Sequence, residues 1–388
     1  MKFKKIFLST LTTFALLPIA LVSEKQNIET NLLKKYADTI SYVQNTINRF
    51  FSTNEKINYV KKINGDFLLF QYDNYFAIID KNDNKIVEIK KGHIRKNKNY
   101  VYELLGDRTN SGNISDSDIK PASINENSFS PDSSDTLDKL PKISHMIRDA
   151  WWWASRDTQK RVGYTTQDRL YDKYNKNGLC EYVAIANLLL YNELFKTSGL
   201  FNATEMNDYF DYEGEDDSEL KRSSPTFRFY DDDNPDLSLV ADLWRSNNRR
   251  TDIYSYKSYY RAIKNFVKNK NVLKKYDFEY KLGSYYWRTV ENIKNNNPVI
   301  VSTYKTYHSF IVYGYDEKSE MLLLNWLWGL NDSIVLVHYS KLSNSGSIGK
   351  IIFTMKPKKE YENDTKRHFR YKMKLYNGKE VGEMLNEK

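Results

Sequence analysis

The sequence predicts an α+β protein in which a helix buried on nearly every side packs on an antiparallel sheet, preceded by a small α+β front domain. Three observations lead to that expectation. Residues 177–191, NGLCEYVAIANLLLY, pass from a turn dipeptide straight into apolar residues, with only Glu181 and Asn187 clearly polar before Tyr191. A helix that is apolar all round runs through the middle of a core. Residues 299–326 read as three β-rich runs separated by polar reversals, and residues 59–90 repeat that pattern upstream; both have the form of an antiparallel meander.

At the start of the chain, Lys2, Lys4 and Lys5 precede an apolar stretch from Ile6 to Val22 that is interrupted by Ser9, Thr10, Thr12, Thr13 and Pro18 and followed by the small residue Ser23. Residues 1–23 therefore read as an export signal peptide, which makes the protein secreted or attached to the outer cell surface. Left uncut, the run would be a short membrane anchor at the lower edge of the length that spans a bilayer, and the route to membrane association. With no second such span in the sequence, the rest is expected to be water-soluble.

Residues 24–105 are expected to form the front domain, a helix followed by YVKKI, the pair Asn64-Gly65, DFLLFQY, YFAIID, the turn residues Lys81–Asn84, and KIVEIK. Asn-Gly between alternating apolar runs is a strong short-range hairpin signal. Over residues 106–140 the composition changes to Ser, Asp, Asn, Gly and Pro. Such a stretch cannot bury a core and is a flexible linker open to proteolysis. Residues 141–360 are aromatic-rich and contain the chemically suggestive residues, and residues 361–388 form a charged tail.

Composition excludes several function classes. With 40% hydrophobic and 15% aromatic residues the chain can build a sizeable core. The net charge of +9 invites a nucleic-acid reading, but the basic residues come with abundant Asn, Tyr and Ile, and no nucleic-acid motif accompanies them, so no nucleic-acid partner is expected. Two acidic stretches, DYFDYEGEDDSE at 208–219 and YDDDNPD at 230–236, lack the spacing of a calcium loop and read as solvated loops. Cys180 is the single cysteine, so no internal disulfide supports the fold, and its distance from the signal rules out a lipid anchor.

Cys180 stands at the first turn of the expected buried helix, where unpaired N–H groups and the positive end of the helix dipole favour the thiolate. Elsewhere a lone cysteine is most simply a small core hydrophobe; at this junction, in an exported chain, a reactive thiol is the better reading. A thiolate nucleophile needs an acid and base beside it, most often histidine. Of the five histidines, His93 and His368 lie in basic surroundings and read as solvated, and His145, ahead of RDAWWWASR, is a weak candidate. His338, in SIVLVHYSKL, reads as a strand residue with no orienting partner nearby.

His308 has the most specific context. It follows the break Asn297-Pro298 and the strand Val299–Ser302, and it begins the strand-like run Ser309–Tyr315. A turn at Asp316–Ser319 leads to a third strand, Met321–Trp326. Antiparallel register can then set Asn325 beside His308, where an amide oxygen accepting the imidazole N–H would fix its tautomer. The triple tryptophan at 151–153 cannot point one way, so at least one of its rings should pack in the core.

At these residues the sequence resembles the papain-like cysteine peptidases, and more narrowly the secreted cysteine peptidases of mycoplasma-type bacteria, near the streptopain and bacteriocin-leader peptidase branches. The matching features are NGLCEYVAIANLLLY, YHSFIVYGYD and LLLNWLWG, over roughly residues 141–355, with the order Cys, His, Asn and a 17-residue step from His308 to Asn325. The resemblance implies a papain-like fold acting on a protein or peptide substrate, with Cys180 as nucleophile, His308 as base and acid, Asn325 as the orienting residue, and Trp326 or Trp328 shielding the His–Asn bond. It implies no metal and no organic cofactor.

The chain departs from the family pattern at one point. Papain has a glutamine six residues before its cysteine, and here that position is Tyr174. Gln167, Asn175 or Asn177 would have to supply the oxyanion donor beside the Cys180 backbone N–H. Many peptidases of this class carry an inhibitory front part, so residues 24–105 are expected to be a prosegment or an accessory domain. The alternatives are another thiol acyl transferase or amidase on the same fold, such as a transglutaminase or cell-wall amidase, and a non-catalytic surface binding protein derived from a peptidase.

Overall fold

The structure is a computed structural model that describes residues 31–63, 66–91, 140–148, 150, 153, 180–202, 205, 210–212, 225–227, 239–250, 256–282, 286–303, 308–327, 334–342, 350–362, 373–374 and 380–381. The chain divides into two compact units, Met1–Ile94 and Arg95–Lys388.

In the first unit a helix, α1 (Ala37–Phe51), precedes four strands, β1 (Ile57–Ile63), β2 (Phe67–Tyr72), β3 (Tyr75–Asp80) and β4 (Lys85–Lys91). They pair in sequence order, each antiparallel to the next. The helix buries Val43, Thr46, Ile47 and Phe50, positions three and four apart that line one face. It ends at Ser52 in the left-handed conformation (φ 51°). Glu55, nearly fully buried, accepts the backbone N–H of Asn74 at 2.7 Å and its side-chain amide at 2.9 Å, closing the β2–β3 turn. Asn64 and Gly65 themselves lie outside the described residues, while the strands on either side pair as expected of a hairpin.

Apart from two short hairpins that pair Phe210–Tyr212 with Pro225–Phe227 and Met373–Lys374 with Glu380–Val381, the second unit mixes helices with a large antiparallel sheet. Its strands are β5 (His145–Met146), β6 (Tyr276–Leu282), β7 (Val299–Thr303), β8 (His308–Asp316), β9 (Met321–Asn325), β10 (Val335–His338) and β11 (Lys350–Pro357). In space the order is β10-β9-β8-β7-β11-β6, every neighbouring pair antiparallel, with β5 added to the far half of β8. Gly314 permits that addition: a Cβ there would come within 2.8 Å of Ile143 Cδ1 and 3.1 Å of the His145 carbonyl oxygen.

The helix α2 (Cys180–Phe195) packs on β8, β7 and β11. Residues 180–193 are all buried, as expected of a helix with almost no polar face. The shorter α3 (Leu239–Ser246) and α4 (Tyr256–Phe266) pack with it, and α5 (Tyr286–Lys294) packs on β8, β7 and β5. Trp153 is fully buried, its ring 5.4 Å from that of Tyr191 on α2 and 6.4 Å from that of Tyr313 on β8; this is the core tryptophan expected of the triplet. Trp151, Trp152, most of the two acidic stretches, the segment 106–139 and residues 1–23 lie outside the described residues. Among the described residues no helix is long and apolar enough to cross a membrane.

Candidate active site

Cys180 is the first residue of α2 and is 4% exposed. Its thiol lies 3.4 Å from Glu181 Oε2 and donates to that carboxylate. Glu181 is itself 1% exposed, so an acidic side chain stands beside the thiol inside the protein. Both groups act on Tyr259 of α4: burial pushes the Tyr259 phenol well above its ordinary value, and the charges of Glu181 and Cys180 add to the effect. The helix α4 packs on α2.

Tyr259 belongs to a closed ring of three hydroxyls. Its oxygen is 2.5 Å from Ser302 Oγ and 2.8 Å from Ser309 Oγ, and the two serines are 2.8 Å apart. Ser302 on β7 and Ser309 on β8 are direct cross-strand partners. All three residues are buried.

Successive side chains on a strand point to opposite faces. Ser309 and Ile311 share the face that Tyr259 reaches, and Asn325, paired with Ile311, lies on the same side. His308 and Phe310 point to the other face, as does the indole of Trp326, which meets Phe310 edge-on at 4.6 Å and lies 6.0 Å from the imidazole. His308 is 2% exposed.

Its Nε2 lies 2.7 Å from the carbonyl oxygen of Trp326. A carbonyl can only accept, so Nε2 bears the proton and, in the neutral ring, Nδ1 is the basic nitrogen. The orienting acceptor at Nε2 is thus the peptide carbonyl just after Asn325, where the sequence led us to expect the Asn325 carboxamide.

The Asn325 side chain acts on the backbone around that carbonyl. Its Oδ1 accepts the N–H of Leu327 at 2.7 Å and its Nδ2 donates to the Trp153 carbonyl at 2.9 Å. An Asx side chain bonding two residues ahead forms a turn that mimics a backbone one, and Leu327 takes the positive φ of 62° that completes it. The turn sets the direction of the Trp326 carbonyl.

Of the other histidines, His338 ends β10 with Nδ1 2.8 Å from Ser340 Oγ and Nε2 3.5 Å from Glu320 Oε2. His145 stacks on Tyr315, and its Nε2 is 3.7 Å from Glu317 Oε1. His93, His368, Trp328 and the oxyanion-donor candidates Gln167, Asn175 and Asn177 lie outside the described residues. Among the described residues no group of three or more His, Cys, Asp or Glu side chains could hold a metal ion.

Sequence reasoning missed Glu181, Tyr259, Ser302 and Ser309 as parts of this site. Glu181 did leave a signal, being a charged residue in the first turn of an otherwise apolar helix. The serines and the tyrosine come together only through strand register and helix packing.

No protein-family profile matches the chain, and no curated protein matches it. Among solved structures it is similar to a prointerpain A fragment of Prevotella intermedia, with 12% identity and a TM-score of 0.41, over 77% of this chain and 98% of that one. A TM-score of this size is too low to carry a function from one protein to the other.

Proposed function

We propose that the chain is an exported cysteine endopeptidase of papain-like type, with Cys180 as nucleophile, His308 as base and acid, and Asn325 as a positioning residue. The observation that supports this reading best is that the chain's only cysteine opens a helix buried along its length, packed on the strand that a buried histidine opens with its Nε2 bonded to the Trp326 carbonyl.

Nδ1 of His308 takes the Sγ proton, and the thiolate attacks the peptide carbonyl carbon, whose π electrons move to oxygen. The tetrahedral intermediate collapses, the C–N bond breaks, and Nδ1 returns the proton to the departing amine. Water then loses a proton to Nδ1 as it attacks the thioester, and collapse releases the acid and restores the thiol. The Cys180 N–H, at the open end of a helix, is one donor for the oxyanion. The imidazolium formed midway donates through Nε2 to the Trp326 carbonyl, whose direction Asn325 sets.

This mechanism requires the imidazole, at the first position of β8, to come within hydrogen-bond reach of the Cys180 sulfur in the reactive state, and the thiol to leave Glu181. Residues 24–105 would act as a prosegment removed by cleavage within the 106–140 stretch. The burial of the thiol and its bond to Glu181 favour one second reading, a binding protein derived from a peptidase.

The test is covalent labelling of the purified, reduced and processed protein by a thiol-directed peptidase inhibitor, together with mass spectrometry of the new N-terminus. Labelling that disappears in both Cys180→Ala and His308→Ala, with self-cleavage in the linker that disappears in Cys180→Ser, is the expected result. Processed wild-type protein that does not label points to the binding protein.

A further inference from the structure

We propose that Tyr259 is a positioning residue that couples the helix bearing the thiol to the strand bearing the histidine, acting through the hydroxyl ring it forms with Ser302 and Ser309. The inference deepens the peptidase reading and rests on its assignment of Cys180 and His308.

The three hydroxyls come from three elements, α4, β7 and β8, and each lies within 2.8 Å of both others. Every hydroxyl has one hydrogen to donate, so a ring in which each donates to the next satisfies all three without water, which suits groups at 0 to 2% exposure. Deleting one member leaves a buried neighbour with an unmade bond.

The ring's position gives it a role beyond stability. Ser309 is covalently next to His308, and Ser302 is its direct partner across the β7–β8 ladder. Fixing the Ser309 side chain on one face fixes the backbone from which His308 leaves on the other. His308 is the first residue of β8 and pairs with Thr303 across the ladder. Beside the imidazole's own bond to the Trp326 carbonyl, the Ser302–Ser309–Tyr259 ring restrains the backbone one residue from His308.

The helix α4 that carries Tyr259 also packs on α2, the helix that Cys180 opens. The aromatic ring of Tyr259 is held separately, stacked on Phe353 of β11 at 5.3 Å and 22°. Tyr259 thus holds α4, a helix packed on α2, to β7 and β8 through its hydroxyl and to β11 through its ring. Positioning of this kind matters because reacting groups displaced by about 1 Å can lose about a hundredfold in rate.

The experiment uses the full chain as wild type, Tyr259→Phe, Ser309→Ala and Ser309→Thr, with Tyr191→Phe as a control that removes a different buried hydroxyl, the one donating to the Arg148 carbonyl. Tyr259→Phe keeps the stack on Phe353. Two readouts do not depend on turnover: the His308 imidazole resonances across pH in histidine-labelled protein, assigned with His308→Gln, and the Cys180 thiolate absorbance across pH, taken as the difference from Cys180→Ser. We expect Tyr259→Phe and Ser309→Ala to move both titrations, Ser309→Thr to restore them, and Tyr191→Phe to leave them at wild type. In the active enzyme, kcat should fall about tenfold with KM little changed.

Wild-type titrations in a folded Tyr259→Phe protein overturn the proposal. If that variant does not fold, Ser309→Ala against Ser309→Thr decides in the same way. Failure of the peptidase reading shows separately, as wild-type protein that neither labels nor turns over while the two titrations still report whether Tyr259 couples the elements.

Discussion

Replacing Asn325 by alanine tests how the imidazole is oriented. Asn325 is fully buried, and its amide serves two backbone groups, the Leu327 N–H at 2.7 Å and the Trp153 carbonyl at 2.9 Å. Alanine leaves both without that partner in a place water does not reach. A buried polar group deprived of its bond costs about 1–3 kcal/mol, so the pair costs about 2–6 kcal/mol, a large part of the 5–15 kcal/mol that is typical of a whole domain.

The same substitution releases the turn that points the Trp326 carbonyl at His308 Nε2. The expected result is a urea midpoint that falls with little change in slope, together with a His308 resonance that broadens or splits as the ring loses its fixed tautomer. Stability within about 0.5 kcal/mol of wild type, the range of an ordinary surface change, with an unchanged His308 signal, would refute the view that Asn325 works through the backbone.

Three further outcomes follow from the geometry. Glu181→Gln removes a negative charge beside the thiol; like charges disfavour ionisation, so alkylation of Cys180 at pH 7 should be about tenfold faster and its pH profile should move to lower pH, as measured by rates between pH 6 and 9. Gly314→Ala forces a methyl against Ile143 and the His145 carbonyl, and thermal melting should show a loss of about 1–3 kcal/mol. Burial raises the phenols of Tyr182 and Tyr286 to about 12 and those of Tyr259 and Tyr313 well above 10. The unfolded chain thus ionises first: the stability these groups contribute is fully present below pH ~10 and is lost as pH rises toward and past 12, so urea titrations should show stability falling from about pH 10 upward, with a smaller slope in Tyr182→Phe.

Residues local in sequence announced much of this architecture. The expected strands Val299–Ser302, Ser309–Tyr315 and Met321–Trp326 correspond to β7, β8 and β9 within a residue at each end. The apolar run after Cys180 became a helix buried along its length, because a segment with no polar face has only one stable environment. The same logic put one ring of the tryptophan triplet, that of Trp153, in the core.

Register and packing decided the rest. The alternation of side chains along β8 sent His308 to one face and left Ser309, Ile311 and Asn325 on the other. Proximity of residues 308 and 325 could be foreseen from a hairpin, but which atom of that turn meets the imidazole could not, because an Asx turn exchanges a side-chain acceptor for a backbone one at nearly the same place. Tyr259, Ser302 and Ser309 are apart in sequence and unremarkable alone; they became one unit when α4 settled against β11 and β6 and its Tyr259 hydroxyl reached β7 and β8. Periodicity is a property of neighbours along the chain and can be read there, whereas a hydrogen-bond partner is set by the meeting of distant segments.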